Sequence, residues 1–216
     1  MSDAILRAAM FGKPEAETER FLNKAKQMLA ADEPIRLHVG FGRHPLDGFL
    51  NLDIRCRVIE NDPLRGVAAT FFDTCFIFPW LENGIALPDN SIDFVFHEDM
   101  YEHLTQRQQY LLLAEMRRLL KPGHFHRVNA PNLEDALVRN SDFSKGAAGV
   151  YDEWNKWHHQ VVPTKQSLEE QARIVGYNKA HFNQKGGTIS GVKFRERRPG
   201  GDRDQVTGNV FVDLEK

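Results

Sequence analysis

The chain has 216 residues, 28 Lys and Arg against 30 Asp and Glu, and 41% hydrophobic residues, which suits one globular domain with a sizeable core. A net charge of -2 gives no overall pull toward nucleic acid or an anionic membrane. Two cysteines, Cys56 and Cys75, are too few for a disulfide scaffold or a Cys-based zinc site, and no apolar run is of bilayer length, so the cytoplasm is the expected compartment.

Apolar Phe21, Leu22, Ala25, Met28 and Leu29 recur at helical spacing and predict an N-terminal helical extension within residues 1–34, closed by Pro34. Ile35-Arg36-Leu37-His38-Val39 reads as a strand running into Gly40-Phe41-Gly42. A second strand, Phe49 to Ile54, follows a turn containing Pro45 and Gly48. Residues 67–72 predict a third strand ending at Asp73, and the turn Leu87-Pro88-Asp89-Asn90-Ser91 introduces a fourth at 92–96.

An amphipathic helix is expected over residues 105–120, with Leu111, Leu112, Met116, Leu119 and Leu120 on its apolar side. Lys121-Pro122-Gly123 stops it, and residues 124–128 predict a fifth strand ending in Asn129-Ala130-Pro131-Asn132. Residues 141–164 lack periodicity and are rich in aromatics and histidine. A helix over 165–175 ends at Gly176, and strands near 188–194 and 206–214 flank a basic, Gly-rich turn. The alternation predicts an α/β fold with a mostly parallel, seven-stranded sheet and an antiparallel C-terminal edge hairpin.

In such a sheet, ligands bind at the carboxyl ends of the strands where strand order reverses. Gly40 and Gly42 let a ligand approach the backbone, Asp53 offers a carboxylate to a ribose, and Asp73 could reach a base. The dinucleotide fingerprint fits poorly: a third Gly is missing, and Asp53 follows Gly42 by about ten residues instead of about 20. That disfavours a nicotinamide enzyme. Arg195-Glu196-Arg197-Arg198 is the densest basic cluster, and its neighbours Pro199-Gly200-Gly201 suggest a solvated turn. His124 and His126 share a strand face, but two ligands do not make a metal site, and no metal is expected in this chain.

The run from Leu37 through Gly40-Phe41-Gly42 to Asn51-Leu52-Asp53 resembles the opening of the class I S-adenosylmethionine-dependent methyltransferases, in a type 11-like subgroup. The second block resembles them more closely: the Leu87-Pro88-Asp89-Asn90-Ser91 turn, Glu102-His103-Leu104, and a helix ending in Leu120-Lys121-Pro122-Gly123. The resemblance implies a Rossmann-like single domain spanning the chain and S-adenosylmethionine as cofactor. It puts Gly40, Phe41 and Gly42 at the methionine portion, Asp53 at the ribose, Ile54 beside the adenine, and Asp73 and Thr74 at its border. His97 and Glu98 would lie beside the transferable methyl. The Gly-Gly expected after Lys-Pro is Gly123-His124 here, a departure from the pattern.

The implied reaction is in-line displacement of an activated methyl onto a small-molecule acceptor such as a sugar or biosynthetic metabolite. A hydroxyl or ammonium acceptor must lose a proton, which makes His97 and His103 the catalytic candidates. Residues 141–164 would form the acceptor pocket or a lid, with Tyr151, Trp157, His158 and His159 as substrate residues. A non-catalytic cofactor-binding partner is the main rival reading. Nucleic acid is disfavoured by the charge, no membrane contact is expected, and a homodimer is compatible with the sequence.

Overall fold

The computed structural model describes residues 14–42, 44–54, 74–79, 81–134, 158–198 and 209–216. Helix α1 (Pro14–Ala30) places Phe21 and Ala25, one turn apart, on a fully buried stripe. The Phe21 ring meets Phe76 edge-on at 5.7 Å. Arg20 lies 4.3 Å over the same ring and donates to the Cys75 carbonyl, fastening the helix to the sheet edge.

The strands are β1 (Arg36–Val39), β2 (Leu50–Asp53), β3 (Cys75–Ile77), β4 (Ile92–Glu98), β5 (Leu120–Ala130), β6 (Lys179–Phe182) and β7 (Val210–Glu215). They form one seven-stranded sheet in the order β3-β2-β1-β4-β5-β7-β6. All pairings from β3 to β5 are parallel, while β7 runs antiparallel to both β5 and β6. The predicted α/β sheet is therefore present. Its chain path turns to opposite sides of β1, toward β2 and toward β4, which opens a crevice at their carboxyl ends.

Helix α2 (Gln106–Leu119) starts where the sequence supplies a capping box: the Thr105 hydroxyl accepts from the Gln108 N–H, and the Gln108 side chain accepts from the Thr105 N–H. It ends as the backbone becomes extended at Leu120 and enters β5 directly, because Pro122 cannot continue the helix. Helix α3 (Lys165–Val175) is capped by Thr164 and Ser167 and terminated by left-handed Gly176.

The two faces of the sheet are covered differently. One carries the main core, in which Leu37, Val39, Leu52, Val95 and Val128 meet Phe21 of α1, Leu112 and Met116 of α2, and Leu168 and Ala172 of α3. The other holds a smaller cluster of Phe49, Phe94 and Phe96, with Leu46, Phe125, Val192 and Phe194 against it and no helical residue among those described. A register shift between Ile92 and Phe94 lets Ile92 join the first cluster and Phe94 the second.

Two strand expectations need revision. The third strand of the sheet is Cys75–Ile77, and the stretch 67–72 lies outside the described residues. The segment 188–194 is not a strand; the partner of β7 is Lys179–Phe182. Thr188 and the Ile189 N–H instead bond to the Asp213 carboxylate, and Gly191 takes a φ of +74°. The apolar alternation of Val192 and Phe194 serves packing of an irregular segment over the second face, where Phe194 lies 4.6 Å from Phe96.

That segment is anchored by Arg127 of β5, which is completely buried. Its guanidinium donates to Glu196 at 2.8 Å, to the Gln184 carbonyl at 3.0 Å and to Asn183, and lies 3.4 Å from Asp213. Removing one partner of such a network strands the others in low dielectric. Arg127→Ala should therefore lower unfolding free energy by about 3–5 kcal/mol, measured by chemical denaturation; a loss within the range of a surface substitution would show that the carboxylates find other partners.

Candidate functional site

The crevice between the ends of β1 and β4 contains a cavity of about 360 Å³, lined in part by Gly40, Phe41, Gly42, Glu98 and Asp99. That is within the usual size of a ligand site, about 300–1,000 Å³. Gly40 has a φ of +72°, and a side chain there would collide with Met100. Gly42, at +58°, faces open space. Both positions favour glycine through their left-handed backbone, and Gly40 also for its close approach to Met100.

Asp53 closes the turn from the neighbouring strand: its Oδ2 accepts the Gly42 N–H at 2.7 Å. Ile54 follows it and is 69% exposed, available as an apolar surface beside the turn. Neither lines the cavity itself. Thr74 lies further along, its hydroxyl accepting from Asn51 Nδ2 at 3.2 Å in the strand layer. Asp73 falls outside the described residues.

His97 and Glu98 were expected side by side at the methyl, but successive residues of a strand point to opposite faces. Glu98 lines the cavity. His97 is fully buried, stacked on Tyr101 at 5.6 Å and edge-on to His126 at 4.9 Å. Its ring lies on the helix-covered face and cannot contact an acceptor, so the catalytic expectation for His97 is withdrawn. Burial and the neighbouring histidines hold its pKa well below the ordinary value.

Sequence reasoning missed the far wall. Arg195 and Arg197, exposed to solvent, and the half-buried Arg198 line the cavity, while Glu196 between them is buried on Arg127; the turn at 199–201 lies outside the described residues. The Arg197 N–H donates to both Glu98 oxygens, at 3.1 and 2.9 Å, and Arg198 pairs with Asp99. His38, His44, Leu46 and Phe96 complete the lining. The alternation Arg195, Glu196, Arg197 was the available signal, since it puts both arginines opposite the inward Glu196. His38 stacks on Phe96 at 4.9 Å and contacts Asn51 at 3.2 Å, and burial lowers its pKa to about 4.

Of the remaining candidates, His103, His158 and His159 are not among the residues that line this cavity. His103 ends the single turn Tyr101–His103 and is exposed, while Glu102 in the same turn is buried. The Glu102 carbonyl accepts the N–H groups of Gln160 at 2.8 Å and Val161 at 3.2 Å. This brings the half-buried His159 ring to 5.0 Å from that of His103. His158 is exposed at a φ of +56°. Tyr151 and Trp157 lie outside the described residues.

Residues 51–126, roughly a third of the chain, match the family model described as a methyltransferase domain. A crystal structure of an S-adenosylmethionine-dependent methyltransferase from Archaeoglobus fulgidus aligns over 100% of both chains, with 13% identity and a TM-score of 0.52. A Haloferax volcanii complex between a methyltransferase activator and a methyltransferase aligns over 94% of this chain and 98% of the other, with 12% identity and a TM-score of 0.52. No curated protein matches the sequence. At these identities the structures establish a shared fold.

His38 and His126 are kept neutral by burial, with pKa values lowered to about 4 and about 3. The unfolded chain binds protons on both near pH 6.5, so their contribution is complete above that value and lost as the pH falls toward 4. Denaturation at a series of pH values should show stability falling by about 1.4 kcal/mol per pH unit for each histidine within this window. His38→Phe should flatten the slope, and an unchanged slope would exclude His38 as a contributor.

Proposed function

We propose that this chain is a class I S-adenosylmethionine-dependent methyltransferase that methylates a small-molecule acceptor in the crevice between β1 and β4, a reading supported by the family match over residues 51–126 and by the shared fold. The observation that carries the reading is the pairing of an open Gly40-Phe41-Gly42 turn with a cavity of about 360 Å³ at the point where strand order reverses. The residues fit the cofactor: Gly42 has free space before it, and the Asp53 carboxylate is already held at the turn.

When bound, S-adenosylmethionine supplies a sulfonium-activated methyl group. In this reading Gly40, Phe41 and Gly42 present backbone to the methionyl portion, Asp53 holds the ribose hydroxyls, and exposed Ile54 covers an adenine face. Asp73 and Thr74 border the base. Glu98 acts mainly as a positioning group, because its oxygens receive the Arg197 N–H and Asn129 Nδ2.

Arg195, Arg197 and Arg198 give the cavity a cationic wall. It suits the methionyl carboxylate or a sugar or metabolite acceptor bearing a carboxylate or phosphate. His103 is the proposed proton acceptor for a hydroxyl or amine, with His158, His159, Tyr151 and Trp157 on the acceptor side. The partner is thus a small molecule rather than nucleic acid, and a homodimer is compatible with it. No helix of the described residues is long and apolar enough to cross a membrane; cytoplasmic residence belongs to this proposal and rests on the low cysteine count.

A second reading, a cofactor-binding partner without catalysis, is favoured by one observation: the Glu98 carboxylate facing the cavity is already occupied by the Arg197 backbone. Calorimetric titration with S-adenosylmethionine, S-adenosylhomocysteine and NAD tests the cofactor assignment. Micromolar binding of the first two alone, weakened roughly tenfold or more in Asp53→Ala, is the expected result; absence of binding would overturn it. The two readings separate on turnover, since replacing His158 and His159 together should reduce methyl transfer far more than cofactor affinity. Equal losses in both would remove these residues from the acceptor side.

A further inference from the structure

We infer that Glu102, His103 and His159 form a binding site for a divalent transition metal, with zinc the best match. One donor atom from each residue lies within 4.8 Å of the other two. A tetrahedral zinc ion with bonds of about 2.0–2.1 Å sets its ligand atoms about 3.4 Å apart. Small side-chain rotations close that difference, and the exposed His103 is free to make the larger one.

An independent observation points to a ligand. Glu102 is 1% exposed, and its Oε2 atom is buried with no hydrogen-bond partner. A buried carboxylate oxygen without a partner carries a desolvation cost. A cation between Oε2 and the two imidazoles removes that cost. Two imidazoles and one carboxylate are also the donor set of zinc sites that keep a fourth position for a non-protein ligand.

The backbone builds this arrangement from distant segments. Glu102 and His103 sit on one short turn, and His159 is brought to them by the two hydrogen bonds from Gln160 and Val161 to the Glu102 carbonyl. Gln109 of α2 clamps the same junction, donating to the carbonyls of Tyr101 at 3.0 Å and Val161 at 2.9 Å. Its Oε1 accepts from Gln171, which in turn accepts the Tyr101 hydroxyl at 2.6 Å. Such outer hydrogen bonds are what hold metal ligands in place. The positive charge of Arg198, which acts on His159, is paired with Asp99.

The site shares His103 and His159 with the acceptor side proposed above, and a bound ion would hold an imidazole nitrogen that could otherwise take the acceptor proton; it is therefore tested without cofactor or acceptor, so that the two readings fail separately. The metal-free full chain is titrated calorimetrically with zinc, and with cobalt while visible absorption is followed. One ion per chain, bound at micromolar or tighter affinity, is expected, with a cobalt spectrum of low coordination number. His103→Ala and His159→Ala should each weaken binding roughly tenfold or more, whereas His158→Ala, a neighbouring histidine outside the donor set, should leave it intact. Glu102→Gln should act like the histidine variants; if it fails to fold, the two alanine variants decide. No binding, several weak ions per chain, or binding indifferent to His103→Ala and His159→Ala would overturn the site.

Discussion

The arrangement of this protein hangs on one buried guanidinium. Arg127 stands in the middle of β5, on the face of the sheet that the described helices leave uncovered, and ties itself to Glu196, Asp213, the Asn183 side chain and the Gln184 carbonyl. An isolated charge there would be expelled; with two carboxylates and a carbonyl it is held. Because Glu196 is one of its partners, the irregular stretch before residue 199 cannot drift from the sheet. Arg195, Arg197 and Arg198 consequently project over the cavity, and Phe194 seals the aromatic cluster beneath.

Local chemistry made much of the fold legible. Thr105 with Gln108, Gly176, and Pro122 after an apolar stripe each specify an end through a physical requirement of the backbone, and α2 and α3 begin and end where those residues stand. Apart from β3, the parallel half of the sheet followed from short apolar runs separated by turns. The C-terminal half did not, because apolar alternation measures burial and not hydrogen bonding. Val192 and Phe194 are packed as a strand would be, yet the hydrogen bonds of their neighbourhood go to Asp213 and Ser190.

The site divides along the same line. The glycine turn and Asp53 could be read because their backbone needs are encoded nearby: Gly42 and Asp53 meet across adjacent strands. His97 misled because it neighbours Glu98 in sequence while occupying the opposite face. The arginine wall was hidden because its position is set by a long-range pair, Arg127 with Glu196, that no local pattern announces. The same holds for His103 and His159, brought together through backbone hydrogen bonds at Glu102.

The position of β7 bears on how the chain reaches this state. The strand latest in sequence lies inside the sheet, between β5 and β6, and both neighbours precede it. Until residues 210–215 arrive, the exposed edge of β5 presents unpaired amides and carbonyls, a template for unwanted strand addition. Closing that gap joins segments far apart in the chain, the slow kind of step in folding. The parallel half can assemble around α1 and α2 first, so the kinetically vulnerable species is a half-built sheet whose open edge is the one that carries Arg127.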